Sequence, residues 1–457
     1  MKEHYFMPIF NAIYYLHFSN HQEQEKHCSL IHLDHSRVVF EVYHPFLKLQ
    51  ANEIINSLQI GYKTRLLYEG RAIVNDGIRT GNRVIIIATL IDAWNNRTTK
   101  NISKKLFHDM TEWKQQDKGI RSNFCLIIKR ISNFLTNLNT WLEHNEINII
   151  PSVLEQNLAR NLTGIVNDNL QDLFDEFEVI VSEINEPFET QVHKNFARAQ
   201  ILPLILCAPF VYRSYTKPLG YAGDYEMVNM IFRDPNEGAS TYAQMLNIKI
   251  LDMVTATAHR NRIHELVKIL TEESRAVLSR KERFKVLNVG CGPAKEIQML
   301  IEKGICDQHW EIELLDFDEE ALIHTRAQIE SRMPSAHVRY TCKSIYQFLK
   351  EDRHASRPQN QYDMIYCAGL FDYLSDKVCA KLLAIFETIV LPGGIILSTN
   401  VHVRNPTKGF MEYFLDWHLT YRHEKDMKKL VPKNIKPQIY CEELGINILM
   451  MFRTQPN

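Results

Sequence analysis

The chain has 457 residues, 45% of them apolar, enough for two or three domains with buried cores. Lys and Arg number 53 against 54 Asp and Glu, and this balance lacks the basic footprint that non-specific nucleic-acid binding requires. The 9 cysteines form no C-x-x-C pair, so they read as free thiols in a reducing compartment, not as a disulfide framework.

The run from Phe6 to Phe18 is apolar but interrupted by Asn11 and His17. It has neither a strong basic flank nor a small-residue cleavage site, and no run is long enough to span a bilayer. The expectation is a cytoplasmic protein without an integral membrane segment. Residues from about 28 to 95 read as β structure: 29–33, 38–42, 65–74 and 83–90 are short runs rich in β-formers. Asn75-Asp76-Gly77 and Thr80-Gly81-Asn82 read as turns. Strands at this spacing predict a small barrel over residues 1–118. The arrangement is loosely similar to PilZ-type barrels, but it lacks their arginine pair followed by Asp/Asn-x-Ser-x-x-Gly. A docking or substrate-shaping module is expected in preference to a cyclic-dinucleotide sensor.

Over residues 119–215 the apolar period becomes helical. Phe124, Ile127, Ile128, Ile131, Phe134, Leu135, Leu138 and Trp141 fall on one stripe, which Leu158, Leu162, Ile165, Leu170, Leu173, Phe174 and Phe177 continue. Pro203 and Pro209 interrupt it. Residues 216–280 open with Lys217-Pro218-Leu219-Gly220-Tyr221-Ala222-Gly223-Asp224-Tyr225, whose proline and glycines predict a shaped loop. Asp224 is placed to cap the next helix. The alternative to a plain turn is a lid, with Tyr221 and Tyr225 over a ligand.

Residues 281–457 follow another pattern. Val286-Leu287-Asn288-Val289 predicts a buried strand, and Gly290-Cys291-Gly292 a sharp turn into a helix with Ile297, Leu300 and Ile301 on one face. Backbone N–H groups at such a helix start are unpaired, and glycine lets a ligand approach them. The next strand, 311–315, ends in Asp316, where a ribose diol would be gripped. Lys295 stands where the third glycine of G-x-G-x-x-G belongs, so this is not a dinucleotide fingerprint. Further strands are predicted at 337–340, 362–367 and 394–399, the last behind the turn Leu391-Pro392-Gly393. Strands alternating with helices predict an α/β fold with a parallel sheet and a ligand at the strands' carboxyl ends.

The glycine corner followed by Asp316 resembles the cofactor site of class I S-adenosylmethionine-dependent methyltransferases. The resemblance implies a Rossmann-like domain with a mainly parallel seven-stranded sheet, behind a small β-barrel-like domain and a helical region. It also implies S-adenosyl-L-methionine as the cofactor and no metal. By this resemblance Gly290, Cys291 and Gly292 approach the methionine part, Asp316 accepts both ribose hydroxyls, and Phe317 lies against the adenine. Ser344 and Ile345 stand where the adenine amino group is read, and Gly369 leaves room beside the sulfonium. Tyr221, Gly223 and Asp224 belong to the lid. No Asn/Asp-Pro-Pro-aromatic motif follows the fourth strand, which removes most nucleic-acid methylases.

A narrower resemblance rests on 218–225, Gly369-Leu370-Phe371-Asp372-Tyr373-Leu374 and Asp416-Trp417-His418-Leu419-Thr420-Tyr421-Arg422. These segments look like a bacterial group that makes 3-hydroxypalmitic acid methyl ester, a quorum-sensing signal. It implies methyl transfer to the carboxylate of a small apolar acid, with Asp372, Tyr373, Phe414 and Trp417 at the substrate. The run 411–422 reads as helix-like, with Phe414, Trp417 and Tyr421 as an aromatic stripe. Arg422, Tyr421 or His402 would meet the polar head, and His402 would act as base if the acceptor were a hydroxyl. Two other readings stand beside this one: a non-catalytic cofactor-binding regulator, and a protein methylase. Oligomeric state stays open, with a homodimer as one candidate.

Overall fold

A computed structural model describes residues 14–19, 28–33, 36–43, 53–62, 65–80, 83–92, 119–145, 158–334, 337–351, 361–432 and 434–455. They divide into two compact units between residues 118 and 119.

The first unit holds β1 (Tyr14–Ser19), β2 (Cys28–Leu33), β3 (Arg37–Tyr43), β4 (Ile54–Tyr62), β5 (Arg65–Thr80) and β6 (Arg83–Leu90). They form one antiparallel sheet in the order β1-β4-β5-β6-β3-β2. Its end strands return to within 8 Å of each other, so the sheet curls towards closure. Val84, Ile86, Ala88 and Leu90 alternate inward, as a half-buried strand requires. Two strands escape the sequence pattern. β1 takes the end of the apolar run from Phe6 to Phe18, and pairs with β4. β4 buries Ile55, then Leu58 and Ile60, because a bulge between Ile55 and Leu58 switches its parity. Asn75-Asp76-Gly77 is not a turn. It lies inside β5, where the register shifts against β6 between Val74 and Asp76, so the triplet forms a bulge. Of the second expected turn, Gly81 and Asn82 lie outside the described residues.

The second unit begins with a helical layer: Ser122–His144, Leu158–Ser182, Pro187–Ile205, Pro209–Thr216, Tyr225–Phe232 and Thr241–Leu251. Most of the predicted stripe is buried here, but Trp141 is 51% exposed and Ile165 74%, while Leu142 is buried instead. Pro203 lies inside the last turns of Pro187–Ile205, and Pro209 opens its helix at the position where proline is tolerated. No helix among the described residues is long and apolar enough to cross a membrane.

The long helix Val254–Leu278 leads into β7 (Phe284–Val289), β8 (Trp310–Asp316), β9 (His337–Cys342), β10 (Tyr362–Cys367) and β11 (Val390–Val401). β12 (Gln438–Cys441) and β13 (Asn447–Arg453), not foreseen from sequence, complete seven strands in the order β12-β13-β11-β10-β7-β8-β9. β7 to β11 run parallel, while β13 runs antiparallel to both β11 and β12. Val286 faces one layer with Leu266 and Leu270 of Val254–Leu278. Leu287 and Val289 face the other with Leu382 and Phe386 of helix Asp376–Ile389. Burial on both faces explains why these strands read as continuous apolar runs. The ends of β7, β8, β10 and β11 therefore share one rim.

Candidate functional site

At that rim the chain leaves β7 through Gly290 (φ 72°) and Gly292 (φ 51°) and enters the helix Lys295–Glu302 behind Ala294. Side chains rarely adopt these angles, so the glycines are what permit the reversal. The backbone N–H groups of Gly290 and Cys291 donate to Leu315 O at 2.8 and 3.1 Å, and that of Gly292 to Asp316 Oδ2 at 2.8 Å. Asp316 Oδ1 accepts from Asp318 N at 3.0 Å. Asp318, not Asp316, caps the helix Glu319–Arg332, accepting from Glu320 N and Ala321 N. Asp316 is thus free of capping and keeps spare lone pairs. Burial raises its pKa, and the hydrogen bond from Gly292 opposes that shift.

Behind the corner stand three polar residues that sequence reasoning passed over. Asn288 Nδ2 donates to Glu296 Oε1 at 2.9 Å and to Tyr366 Oη at 3.0 Å, and Tyr366 in turn donates to Glu296 Oε1 at 2.7 Å. Asn288 Oδ1 is shielded from solvent and has no partner among the described residues. An amide on an otherwise apolar strand was the available signal.

The loop 217–224 is fastened along its length. Lys217 Nζ donates to Asp416 Oδ2 at 2.8 Å and to its carbonyl at 2.7 Å. Tyr221 Oη donates to Asp318 Oδ2 at 3.0 Å, and its ring lies 5.0 Å from that of Phe317. Tyr373 Oη donates to Ala222 O at 3.1 Å and accepts from Trp417 Nε1 at 2.9 Å. Gly223, at φ 76°, sits on that pair. Asp224 caps Tyr225–Phe232 through Met227 N and pairs with Arg213 at 2.8 Å.

The corner, loop and rim enclose a cavity of about 390 Å³. Tyr221, Gly223, Gly290, Cys291, Gly292, Asp316, Phe317 and Gly369 line one end. The other end is apolar, with Phe210, Ile231, Ile250, Met253, Phe410, Met411 and Leu415. Asp372, Tyr373, Trp417, His259 and Arg262 stand on its wall. Burial pushes the Asp372 carboxyl up to about 6, against the pull of the Arg262 guanidinium 4.0 Å away.

Seven expected site residues are not on this wall. Asp224 is buried in its cap. Ser344 bonds Gln347 at the start of helix Ile345–Glu351, and Ile345 packs in the adjoining core. The run 411–422 is not one helix: it ends after Lys408–Tyr413, and Asp416 takes φ 51°. The aromatic stripe is therefore dispersed. Phe414 stacks on Phe177 at 5.0 Å in the helical core, Trp417 reaches the cavity, and Tyr421 lies beneath Lys408. His402 is fully buried; its Nδ1 accepts from Arg404 N at 2.9 Å, so Nε2 carries the proton towards Glu424, 3.1 Å away. That protonation also argues against a metal, although His402, His423 and Glu424 stand within 4.8 Å of one another.

Arg422 is corrected most clearly. All five N–H donors are taken: Nε and Nη2 by Asp376, Nη1 by Phe371 O and Asn400 Oδ1, and Nη2 also by Leu374 O. It buckles the segment after β10 to that after β11. Arg422→Ala is expected to lower stability by about 2–4 kcal/mol, because buried carbonyls lose their donor. The check is thermal unfolding; an unchanged Tm with lost turnover would return Arg422 to the chemistry.

Residues 286–394 match the family described as a methyltransferase domain. Among solved structures, the chain is similar to one titled a possible exported protein from Bordetella parapertussis, at 13% identity over 54% of this chain and 86% of that one, TM-score 0.43. It is also similar to magnesium protoporphyrin IX methyltransferase from Synechocystis PCC 6803 with bound S-adenosylhomocysteine, at 10% identity over 54% and 98%, TM-score 0.37. A third is an N-methyltransferase from Bradyrhizobium japonicum WM9 in complex with S-adenosylhomocysteine, at 14% identity over 50% and 97%, TM-score 0.33. A comparison with curated proteins finds no match.

Proposed function

We propose that this S-adenosylmethionine-dependent methyltransferase passes a methyl group to the carboxylate of a small, partly apolar acid. The observation that carries the reading is the continuity of the cavity: a glycine corner with Asp316 at one end opens directly onto an apolar chamber at the other. The residues fit the cofactor. Asp316 has spare acceptor capacity for a ribose diol, and Asn288 Oδ1 is an unpartnered acceptor for the methionine ammonium. Tyr221 and Phe317 offer ring faces to the adenine. When bound, the cofactor supplies an electrophilic methyl on a sulfonium. The fastened loop keeps water out, and the chamber wall orients the acceptor in line, which supplies several kcal/mol without a proton transfer.

The acceptor we favour is a 3-hydroxy fatty acid, giving a methyl ester signal. Its support is the narrower resemblance, whose segments meet in this protein through Ala222, Tyr373 and Trp417. A second reading, transfer to a hydroxyl, is favoured by Asp372, a buried carboxylate on the cavity wall with a raised pKa. The test is incubation of the full chain with S-adenosylmethionine and a panel of 3-hydroxy and plain fatty acids, read by mass spectrometry. Methyl ester appearing with S-adenosylhomocysteine is expected. Cofactor binding without turnover would favour a regulator, and label entering a protein band would favour protein methylation.

A further inference from the structure

We propose that Arg262 is the receptor for the acceptor's negatively charged oxygen, with His259 holding it in place, so that the site selects carboxylates over neutral head groups. This rests on the methyltransferase reading and deepens it. Both residues lie on helix Val254–Leu278 and line the cavity. Arg262 is buried, yet among the described residues only two of its five N–H donors have hydrogen-bond acceptors: Nη1 donates to Asn447 Oδ1 at 3.2 Å and Nη2 to His259 Nδ1 at 2.9 Å. Nε is shielded and unpartnered. The neighbouring acid, Asp372, stands 4.0 Å away, beyond a hydrogen bond. Arg422, equally buried, has every donor satisfied. A buried guanidinium with open donors is costly unless something completes its shell, and a carboxylate does so with charge-assisted bonds.

Position supports this role. The guanidinium lies so close to Gly369 that a Cβ there would come within 3.2 Å of Arg262 Nη2. Gly369 follows β10 on the rim shared with the glycine corner. An oxygen held by Arg262 would therefore stand between that corner and the apolar chamber. His259 adds a constraint on the chemistry. A guanidinium only donates, so His259 Nδ1 must accept and the ring proton resides on Nε2, which has no partner among the described residues. Burial, with Arg262 and Arg260 adding to it, holds the imidazole neutral, well below its ordinary pKa. His259 thus has no free lone pair with which to deprotonate an alcohol. A carboxylate needs none: its oxygen lone pair forms the new O–CH3 bond as the S–CH3 bond breaks, and that electron pair stays on sulfur. Carboxylate and sulfonium charges cancel, no proton moves, and the products are a methyl ester and a neutral thioether.

The experiment uses the full chain saturated with S-adenosylhomocysteine and three ten-carbon probes, decanoate, decanamide and decanol. Calorimetry reads their affinities, and the same acid and alcohol are then offered with S-adenosylmethionine. Decanoate is expected to bind at least ten times more tightly than either neutral probe and to be the one methylated. In Arg262→Gln that preference should disappear, with S-adenosylhomocysteine affinity unchanged within threefold. His259→Gln, which keeps a side-chain acceptor for Arg262, should retain part of it. Equal binding of the three probes, binding of none, an acid preference that survives Arg262→Gln, or decanol methylation abolished by Asp372→Asn would each overturn the proposal. If the wild-type chain does not take up S-adenosylhomocysteine, the broader reading fails first, and the two failures are thereby distinguished.

Discussion

Asp316→Ala is expected to weaken S-adenosylhomocysteine binding by about 10–150-fold, the equivalent of losing charge-assisted hydrogen bonds worth ~1.5–3 kcal/mol. The carboxylate has two tasks in one place. It fixes the glycine corner by accepting from Gly292 N, and it presents its remaining lone pairs to the cavity. Alanine removes both. Asp316→Asn keeps the shape and an acceptor oxygen, so its loss should be smaller. Calorimetry on the three proteins decides; equal affinities would show that the nucleoside does not rest on Asp316. Because Asp318 carries the helix cap, the alanine variant should fold, and its Tm serves as the control.

Gly223→Val is expected to cost about 10–100-fold in cofactor affinity by dislodging the loop 217–224. Its φ of 76° is strained for any side chain, worth roughly 1–2 kcal/mol. A Cβ there would also stand 2.5 Å from Tyr373 Oη and 2.7 Å from Trp417 Cζ2. The loop would have to lift, taking Tyr221 from Asp318 and Ala222 from Tyr373. The sheet and its core do not touch this seat, so urea unfolding should show a loss of no more than the roughly 1–2 kcal/mol of strain, with the fold retained. An affinity within threefold of wild type would mean that the loop does not cover the cofactor.

What sequence made legible was local. The strand, glycine pair and acid at 286–316 are contiguous, and their spacing alone fixes a corner beside a carboxylate. The loop 217–224 was visible for the same reason, since glycine and proline mark backbone shape directly. The polar side of the acceptor site was hidden because it is assembled from afar. His259-Arg260-Asn261-Arg262 reads as a solvent-facing stretch, and only packing against the sheet buries Arg262. A signal existed: Ala258, Arg262 and Leu266 recur every four residues, so a charge interrupts an apolar stripe. Arg422 follows an aromatic run whose spacing reads as a helix lining a pocket. A left-handed residue at Asp416 breaks that helix and turns Arg422 into a buckle. β4 was obscured by its bulge, β12 by its brevity at 4 residues, and β13 by its position beyond the irregular segment.

The most direct measurement is a crystal structure of the full chain with S-adenosylhomocysteine and decanoate. The account predicts the ribose diol on Asp316, the thioether sulfur beside Gly369, and the acid head group on Arg262 with its alkyl chain towards Phe410 and Leu415. A nucleoside bound away from the Gly290–Gly292 corner, or an acid whose carboxylate avoids Arg262, would contradict it.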